Sequence, residues 1–560
     1  MRHGVELSIC SKRAFRSGGI LHPALFMVTA LILQQSAVHA DTFLPTTTPA
    51  EWVQDSNWDT NSTPNAVGAA ATFSAATTAF QTVTIASDVT VGTITFNTST
   101  AFPTSLGAAN ASGGRLILDA AGAGPVTVLS TGTGSGWSGS NTNAIAATMV
   151  FNDDVVIDVQ NTAANASTGG FRLGGPITGT GGLTKTGPGM MTWAFTPSQT
   201  NLFKDYEGPT ILNNGRVRMS SGGAPRNTSS FTIANGGQLT PISAATYTFG
   251  SNLATLPTLN LNGAGPTTGP TAAFPGAIRP DTNLAVSFAN NVVLQSDATI
   301  HAQGSATGNT TLSGNVSGPG ILVAGSIVHD ANVGRVTLKG TNSYTGGSLV
   351  NVGTLAADGT SINAFGAGAV QVVSAGVAFG GSQAHALISG GATDAIANTA
   401  YLNLAGGGAS GVADDGYIDL DGGVSETVGG LMLGGVIYGA GTYGSLTSGA
   451  TNPGLANPDE YFSGFGTITV VPAGVPGDYN SNGVVDAADY VLWRKGGKLA
   501  NDFTPGNQAA DYDFWRSRYA ATTNPGSGSG LEVSGVPEPT TIALMGYVAS
   551  SLLALWGRRR

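Results

Sequence analysis

From Asp41 to Val471 apolar and polar residues alternate with a period of two, in short runs broken by Gly, Asn and Pro. Val89-Thr90-Val91-Gly92-Thr93-Ile94-Thr95-Phe96, Arg115-Leu116-Ile117-Leu118 and Val155-Val156-Ile157-Asp158-Val159 are examples. Successive side chains of a strand point to opposite faces, so these runs predict half-buried strands and the punctuation predicts tight turns. No long stretch carries the 3.6-residue spacing of an amphipathic helix. The expected fold class is mainly β.

An internal repeat refines this. Tyr206, Gly208, Ile211, Leu212, Asn213, Gly215 and Val217 stand at the same offsets as Tyr344, Gly346, Leu349, Val350, Asn351, Gly353 and Leu355. Upstream, Ile177, Gly179, Gly181 and Leu183 match Val316, Gly318, Gly320 and Leu322, with one residue of slippage. Glycine permits positive φ at a corner and Asn tolerates it, while the aliphatic residues between them can stack rung upon rung. That is the pattern of a parallel β-helix, with copies over 177–217 and 316–355 of a β region spanning 41–471. The Tyr-x-Gly…Asn-x-Gly-x-Leu pattern resembles the autotransporter-associated β-strand repeat of bacterial surface passengers. Trp52, Asn57-Trp58, Pro64-Asn65 and Phe73, and the block Gly441–Gly444 with Tyr461–Gly464, look like parts of the same kind of protein. The resemblance implies a β-solenoid passenger region. The first copy departs from it at Trp193-Ala194-Phe195, where a stretched loop replaces a short strand and turn. Irregular β-sandwich domains are the alternative fold.

The two ends read as addresses. Arg2, Lys12, Arg13 and Arg16 precede an apolar run from Ala24 to Leu33 and the small residues around Ala37–Ala40. This order predicts a secretory signal peptide, residues 1–40, and hence export. The single cysteine, Cys10, lies within it, so the exported chain has no disulfide, thiol nucleophile or Cys metal site. At the other end, Val536-Pro537-Glu538-Pro539 leads into the uncharged run Thr540–Gly557 and then Arg558-Arg559-Arg560. Such a helix is just long enough to span a bilayer, with the arginines on the cytoplasmic side. The segment 536–560 resembles the PEP-CTERM sorting signal, which implies transient membrane anchoring and processing by an exosortase. A Gly/Ser linker, 522–535, separates it from what precedes.

Composition narrows the function classes. Glycine accounts for 83 of 560 residues and only 10% are charged, which disfavours helix-rich α/β cofactor enzymes. Residues 1–40 and 540–560 hold seven of the 22 basic residues and one of the 32 acidic ones, leaving 15 against 31 between them. Nucleic acid and anionic membrane surfaces are poor partners for such a surface.

One stretch carries specific chemistry. Asp478, Asn480 and Asn482 stand at positions 1, 3 and 5 of a twelve-residue calcium loop, with Gly483 at the sharp turn of position 6. Val484 offers a carbonyl at position 7, Asp486 is at position 9 and Asp489 closes the loop at position 12. A hard cation wanting six to eight oxygens finds them here without nitrogen or sulfur. Val485 is expected in a small core. Ala487-Ala488-Asp489-Tyr490-x-x-Trp493-Arg494 recurs as Ala509-Ala510-Asp511-Tyr512-x-x-Trp515-Arg516. The duplicated loop-then-helix resembles a type I dockerin module over 476–521, as does the closing Asp. That resemblance implies a small α-helical domain and a cohesin-like or surface scaffold partner. The second loop is broken: counting back from Asp511 puts Ala500, Thr504 and Pro505 at positions 1, 5 and 6. One Ca2+ is therefore expected. Tyr512 and Trp515 should pack on Tyr490 and Trp493, the alternative being a partner-binding aromatic stripe.

Other signals carry less. Gly406, Gly408 and Gly411 form a GxGxxG that opens no helix. His301, His329 and His385 are scattered singly, and no Ser/His/Asp arrangement is found. Asp414, Asp415, Asp419 and Asp421 could hold a cation or serve a glycosidase, but a Gly-rich turn suggests a solvated edge. No catalytic residue is assigned. The leading expectation is an exported, non-enzymatic cell-surface or matrix protein. The alternatives are a glycoside hydrolase or polysaccharide lyase on a β-helix, or a carbohydrate-binding protein whose Trp52, Trp58 and Trp137 line a groove.

Overall fold

The computed structural model describes residues 40–521, except 46–47, 75–79, 98–102, 108–112, 123, 132–141, 161–169, 194–202, 235, 268–274, 282, 303–307, 326–333, 377–383, 472–473 and 507. Residues 1–39 of the expected signal peptide, the linker, the sorting tail, Trp137 and His329 lie outside the described residues. Among those described, no helix is long and apolar enough to cross a membrane.

The chain is mainly β and its strands are short, because each run of alternating residues ends at a glycine or polar corner. The segment Val89–Phe96 shows this. It is two strands, Val89–Val91 and Thr93–Phe96, and the chain turns between faces at Gly92. A Cβ on Gly92 would lie 2.7 Å from Gly68 Cα of the preceding coil. Each coil then lays its strands on those of the coil before. Met149–Phe151, Val155–Val159 and Phe171–Leu173 pair in parallel and in the same order with Ile177–Gly179, Leu183–Thr186 and Met191–Trp193. A coil takes roughly 20–35 residues, inside the range typical of solenoid repeats. One parallel ladder runs from Ala40–Phe43 to Gly430–Leu433. The arrangement is solenoid-like, and the aligned antiparallel sheets of a sandwich are not what these ladders form.

Alternation decides what goes inside. Val155, Ile157 and Val159 are buried while Val156 and Asp158 are only half-buried. The inward residues join into one apolar core from Phe43 to Val470. Aromatic rings follow one another along it: Phe43 tilted against Phe73 at 5.4 Å, Phe73 stacked on Phe96 at 5.5 Å and Phe96 tilted against Phe171 at 5.7 Å. Each such pair contributes about 0.5–1.5 kcal/mol beyond its buried area.

The two copies of the repeat adopt the same local structure. Thr210–Leu212 and Gly215–Met219 of the first correspond to Ser348–Val350 and Gly353–Ala357 of the second. Gly215 and Gly353 both take positive φ, 71° and 79°. The shared spacing of the two copies also carries a hydroxyl pair. Buried Tyr206 hydrogen-bonds Thr210 Oγ1 at 2.6 Å, and buried Tyr344 hydrogen-bonds Ser348 Oγ at 2.6 Å.

The copies nevertheless stand on different faces. The nine-residue strand Val292–Ile300 pairs through its first half with Leu259–Gly263 and Val316–Ser317, and through its second half with Leu322–Ala324. Ile300 also bridges to Ile278, and Ile278 to Leu239 in the strand Gly237–Pro241. The face of Met191–Trp193, Gly215–Met219 and Gly237–Pro241 thus continues into Leu322–Ala324 and Ser348–Val350. The sequence phase advances by one face across this bend, so equivalent strands of the two copies do not share a face.

Both ends of the ladder are covered. Trp52 and Trp58 are fully buried against Phe43 and Phe73, with ring centroids 5.1–5.9 Å apart. Their indole N–H groups donate to Pro64 O and Trp52 O. This corrects the carbohydrate-groove reading for these two residues: an indole with no exposed face cannot stack on a sugar. At the other end, Val436–Tyr438 and Gly441–Tyr443 pair antiparallel with Gly430–Leu433 and Thr467–Val470. A reversed strand closes an edge that would otherwise template further pairing.

Candidate metal centre

Two helices follow the solenoid, α1 (Ala487–Arg494) and α2 (Ala509–Ser517). Each begins on the duplicated Ala-Ala-Asp. At α1, Asp486 caps the first turn by accepting from Ala488 N–H at 2.7 Å, while the Asp489 carboxylate accepts from Asp486 N–H at 2.7 Å. This capping box turns Asp489 back into the loop, where its other oxygen accepts from Asn480 N–H at 2.9 Å.

The loop itself is a series of Asx turns. Asn480 Oδ1 accepts from Asn482 N–H and Asn482 Oδ1 from Val484 N–H, both at 2.9 Å. Asp478, almost fully buried, accepts from Asn482 N–H at 3.0 Å and Gly483 N–H at 2.6 Å. Gly483 has φ 89°, which a side chain at that position would strain. Short side-chain oxygens are thus held in place by the backbone that carries them. Burial pushes the Asp489 carboxyl up, and the nearby Asp478 and Asp486 charges add to the shift. Among the described residues no Lys or Arg forms an ion pair with these three carboxylates.

The donors fit a hard cation in chemical type: three carboxylates, two amide oxygens and the Val484 carbonyl. Among the described residues, no group of three or more His, Cys, Asp or Glu side chains is close enough to hold a metal ion. The amides and the carbonyl would therefore have to complete the shell.

The two halves are locked by reciprocal bonds. Trp515 Nε1 donates to Asp486 O at 2.7 Å, and Trp493 Nε1 to Gln508 O at 2.9 Å, so each indole reaches the N-cap residue of the other helix. Val485 is fully buried, and its N–H and C=O pair with Ala521 and Ala520. Tyr490, Trp493, Tyr512 and Trp515 pack ring to ring at 5.2–5.8 Å. Trp515 is buried with Tyr479 and Val485 as the core of the pair, and the other three, half-buried, pack against it.

The second half holds residues that sequence reasoning passed over. Asp502 and Asp511 are both buried, and Thr504 N–H donates to Asp502 Oδ1 at 3.2 Å. Asp511 also accepts from Thr504 Oγ1 and from Gln508 N–H. Burial pushes both carboxyls up, Asp502 well above its ordinary value with the Asp511 charge adding, so the pair holds a proton at pH values where a solvated Asp has lost it. Next to them, Phe503 is buried against Tyr401 of the solenoid, perpendicular at 4.5 Å, and against Phe514 at 5.7 Å. Tyr401 Oη donates to Asn501 Oδ1 at 3.1 Å. A cleft of about 840 Å³ opens beside this contact, between Thr345, Gly368 and Thr399 on one wall and Asn480, Lys498 and Leu499 on the other.

The acidic cluster of the β region is not a solvated edge throughout. Asp415 is buried and accepts from Ser374 Oγ and from the N–H groups of Ala375, Gly376 and Ala384. It ties Ser374–Gly376 to Ala384. Asp419 is half-buried and pushed up by burial and then by Asp421. His385 stacks flat on Tyr417 at 4.9 Å, and burial with the Arg335 charge lowers its pKa to about 4. It is neutral at pH 7. His301 is buried elsewhere in the coil.

No protein-family model, curated protein or solved structure matches this chain.

Proposed function

We propose that this is an exported bacterial surface or matrix protein: a β-solenoid carrying a calcium-binding, dockerin-like attachment module and a PEP-CTERM-type tail for exosortase sorting. The observation that supports the reading is the loop 478–489, where Asx turns and a capping box bind the side-chain oxygens of Asp478, Asn480, Asn482 and Asp489 to backbone N–H groups of the loop. The residues that would hold Ca2+ are Asp478, Asn480, Asn482, Val484, Asp486 and Asp489. Bound there, the ion would offset the repulsion among three carboxylates and fix the N-terminus of α1. The helical pair would engage a cohesin-like or other scaffold partner, and the solenoid would serve as the displayed body.

A polysaccharide-active solenoid is the second reading. Asp419, a half-buried carboxyl with raised pKa beside Asp421, is the observation that favours it. Purified chain exposed to a panel of polysaccharides separates the two. Neither release of reducing ends nor retention is expected. Release would overturn the non-enzymatic reading, and retention alone would make the solenoid a carbohydrate-binding body.

A further inference from the structure

We propose that the degenerate second loop has become the clasp that docks the helical pair on the solenoid, and that calcium in the first loop tightens this clasp. The inference rests on the calcium reading of residues 478–489.

The contacts form one short path. Asn501 takes φ 50°, a left-handed conformation that Asn tolerates, and so points its amide at two modules at once. Its Nδ2 donates to the backbone carbonyl of Asp478, the first residue of the calcium loop, at 2.7 Å. Its Oδ1 accepts from Tyr401 Oη, on the solenoid strand Tyr401–Leu404, at 3.1 Å. Two backbone bonds, Ala500 N–H to Tyr479 O at 3.0 Å and Gly477 N–H to Asn501 O at 3.1 Å, hold the same segment against the start of the loop. Immediately after it, Phe503 fills the apolar site made by Ala369, Tyr401 and Phe514.

The residues lost as ligands explain the change of role. In the first loop positions 4 and 5 are Ser481 and Asn482, both exposed, whereas the second loop has Phe503 and Thr504 there. An aromatic at position 4 is the anchor. Pro505 and Gly506 carry the chain away from it, and a Cβ on Gly506 would lie 2.6 Å from Ile321 Cδ1 of the solenoid. The second loop thus faces the coil where the first faces its own carboxylates.

The coupling follows from shared geometry. The bonds made by 500–501 fall on the carbonyls of Asp478 and Tyr479 and the N–H of Gly477, so they require the loop entrance to keep one conformation. A cation gathering the Asp478, Asn480 and Asn482 oxygens requires the same conformation. Each event lowers the ordering cost of the other, and linkage makes the factor equal in both directions.

The test is a calcium titration of the whole chain, wild type against Tyr401→Phe and Phe503→Ala, followed by calorimetry and by amide exchange across 500–506. Tyr401 and Phe503 are not among the proposed ligands, so they can alter calcium affinity only through docking. Tyr401→Phe removes one hydroxyl from a strand it otherwise leaves intact. About a fivefold loss of calcium affinity is expected, as for one hydrogen bond, with a larger loss for Phe503→Ala and slower exchange of 500–506 when calcium is added to wild type. Wild type that binds calcium, with unchanged affinity in Tyr401→Phe and no calcium effect on exchange, would overturn the clasp and leave the calcium loop standing. Wild type that binds no calcium would remove both.

Discussion

Gly320→Ala should destabilise the solenoid although it adds a single methyl group. The alanine Cβ would lie 2.1 Å from Ser296 O and 2.3 Å from Ser296 C, backbone atoms of the preceding coil that cannot rotate away. Comfortable contact needs about 3.5 Å or more, so the coils must part locally by roughly 1 Å. Just beyond this corner, Leu322–Ala324 is hydrogen-bonded in register to Ala298–Ile300. Parting the coils there strains the first of those bonds. Overpacking costs about 1–3 kcal/mol and a weakened hydrogen bond about 1 kcal/mol, against a gain of about 0.4–1 kcal/mol from restricting the unfolded chain. The net expectation is a loss of about 1–3 kcal/mol. In a solenoid each coil contacts only its neighbours, so the loss should be local. Amide exchange resolved by segment is the assay, with protection in 298–300 and 322–324 falling about tenfold or more. Gly422→Ala is the control, since its Cβ would meet nothing within 4 Å. If Gly320→Ala matched that control, the close approach of coils at this corner would be refuted.

Trp58→Ala should cost about 3–5 kcal/mol and fray Ala40–Phe43 and Ala70–Phe73 first, which amide exchange would show as an N-terminal gradient. Tyr344→Phe deletes a hydroxyl bonded to Ser348 Oγ and Ala364 O, so the midpoint of urea unfolding should fall by an amount worth about 1–2 kcal/mol. The Asp502–Asp511 pair should give the helical pair an inverted pH response. Its raised folded-state pKa means the folded state holds the proton more tightly, so stability is greatest below the ordinary value of 3.8 and falls as pH rises through the folded value. Asp502→Asn should therefore raise thermal stability at pH 7 and have little effect at pH 3, as followed by near-ultraviolet circular dichroism of the tryptophan cluster.

Much of this architecture was legible because it is local. Alternation in Val155–Val159 needs only a strand's period, and the Asx-turn loop 478–489 and the Ala-Ala-Asp-Tyr duplication are fixed offsets along the chain. Stacking of coils was legible wherever a glycine must sit against a neighbour, as at Gly181 and Gly320. What stayed hidden depends on residues far apart in sequence. The advance of the repeat by one face arises because Val292–Ile300 bends across two faces, and nothing in its composition marks the bend. Trp52 and Trp58 look like any exposed aromatic pair until Phe43 and Phe73 are seen beneath them. Asp415 sits in a Gly-rich turn, the usual setting of a solvated acid, yet its four donors come from Ser374 to Ala384. Asp502 stands at position 3 of the broken second loop, but that offset does not reveal its burial beside Asp511, and Phe503 escaped notice because its partner is Tyr401, about a hundred residues earlier.

The most direct test of the account is isothermal titration of calcium into the whole purified chain, beside Asp478→Ala and Asp489→Ala. One ion per chain is expected for wild type and none for either variant. Heat of binding that survives Asp478→Ala, or two ions per wild-type chain, would contradict a single site built from Asp478, Asn480, Asn482, Val484, Asp486 and Asp489.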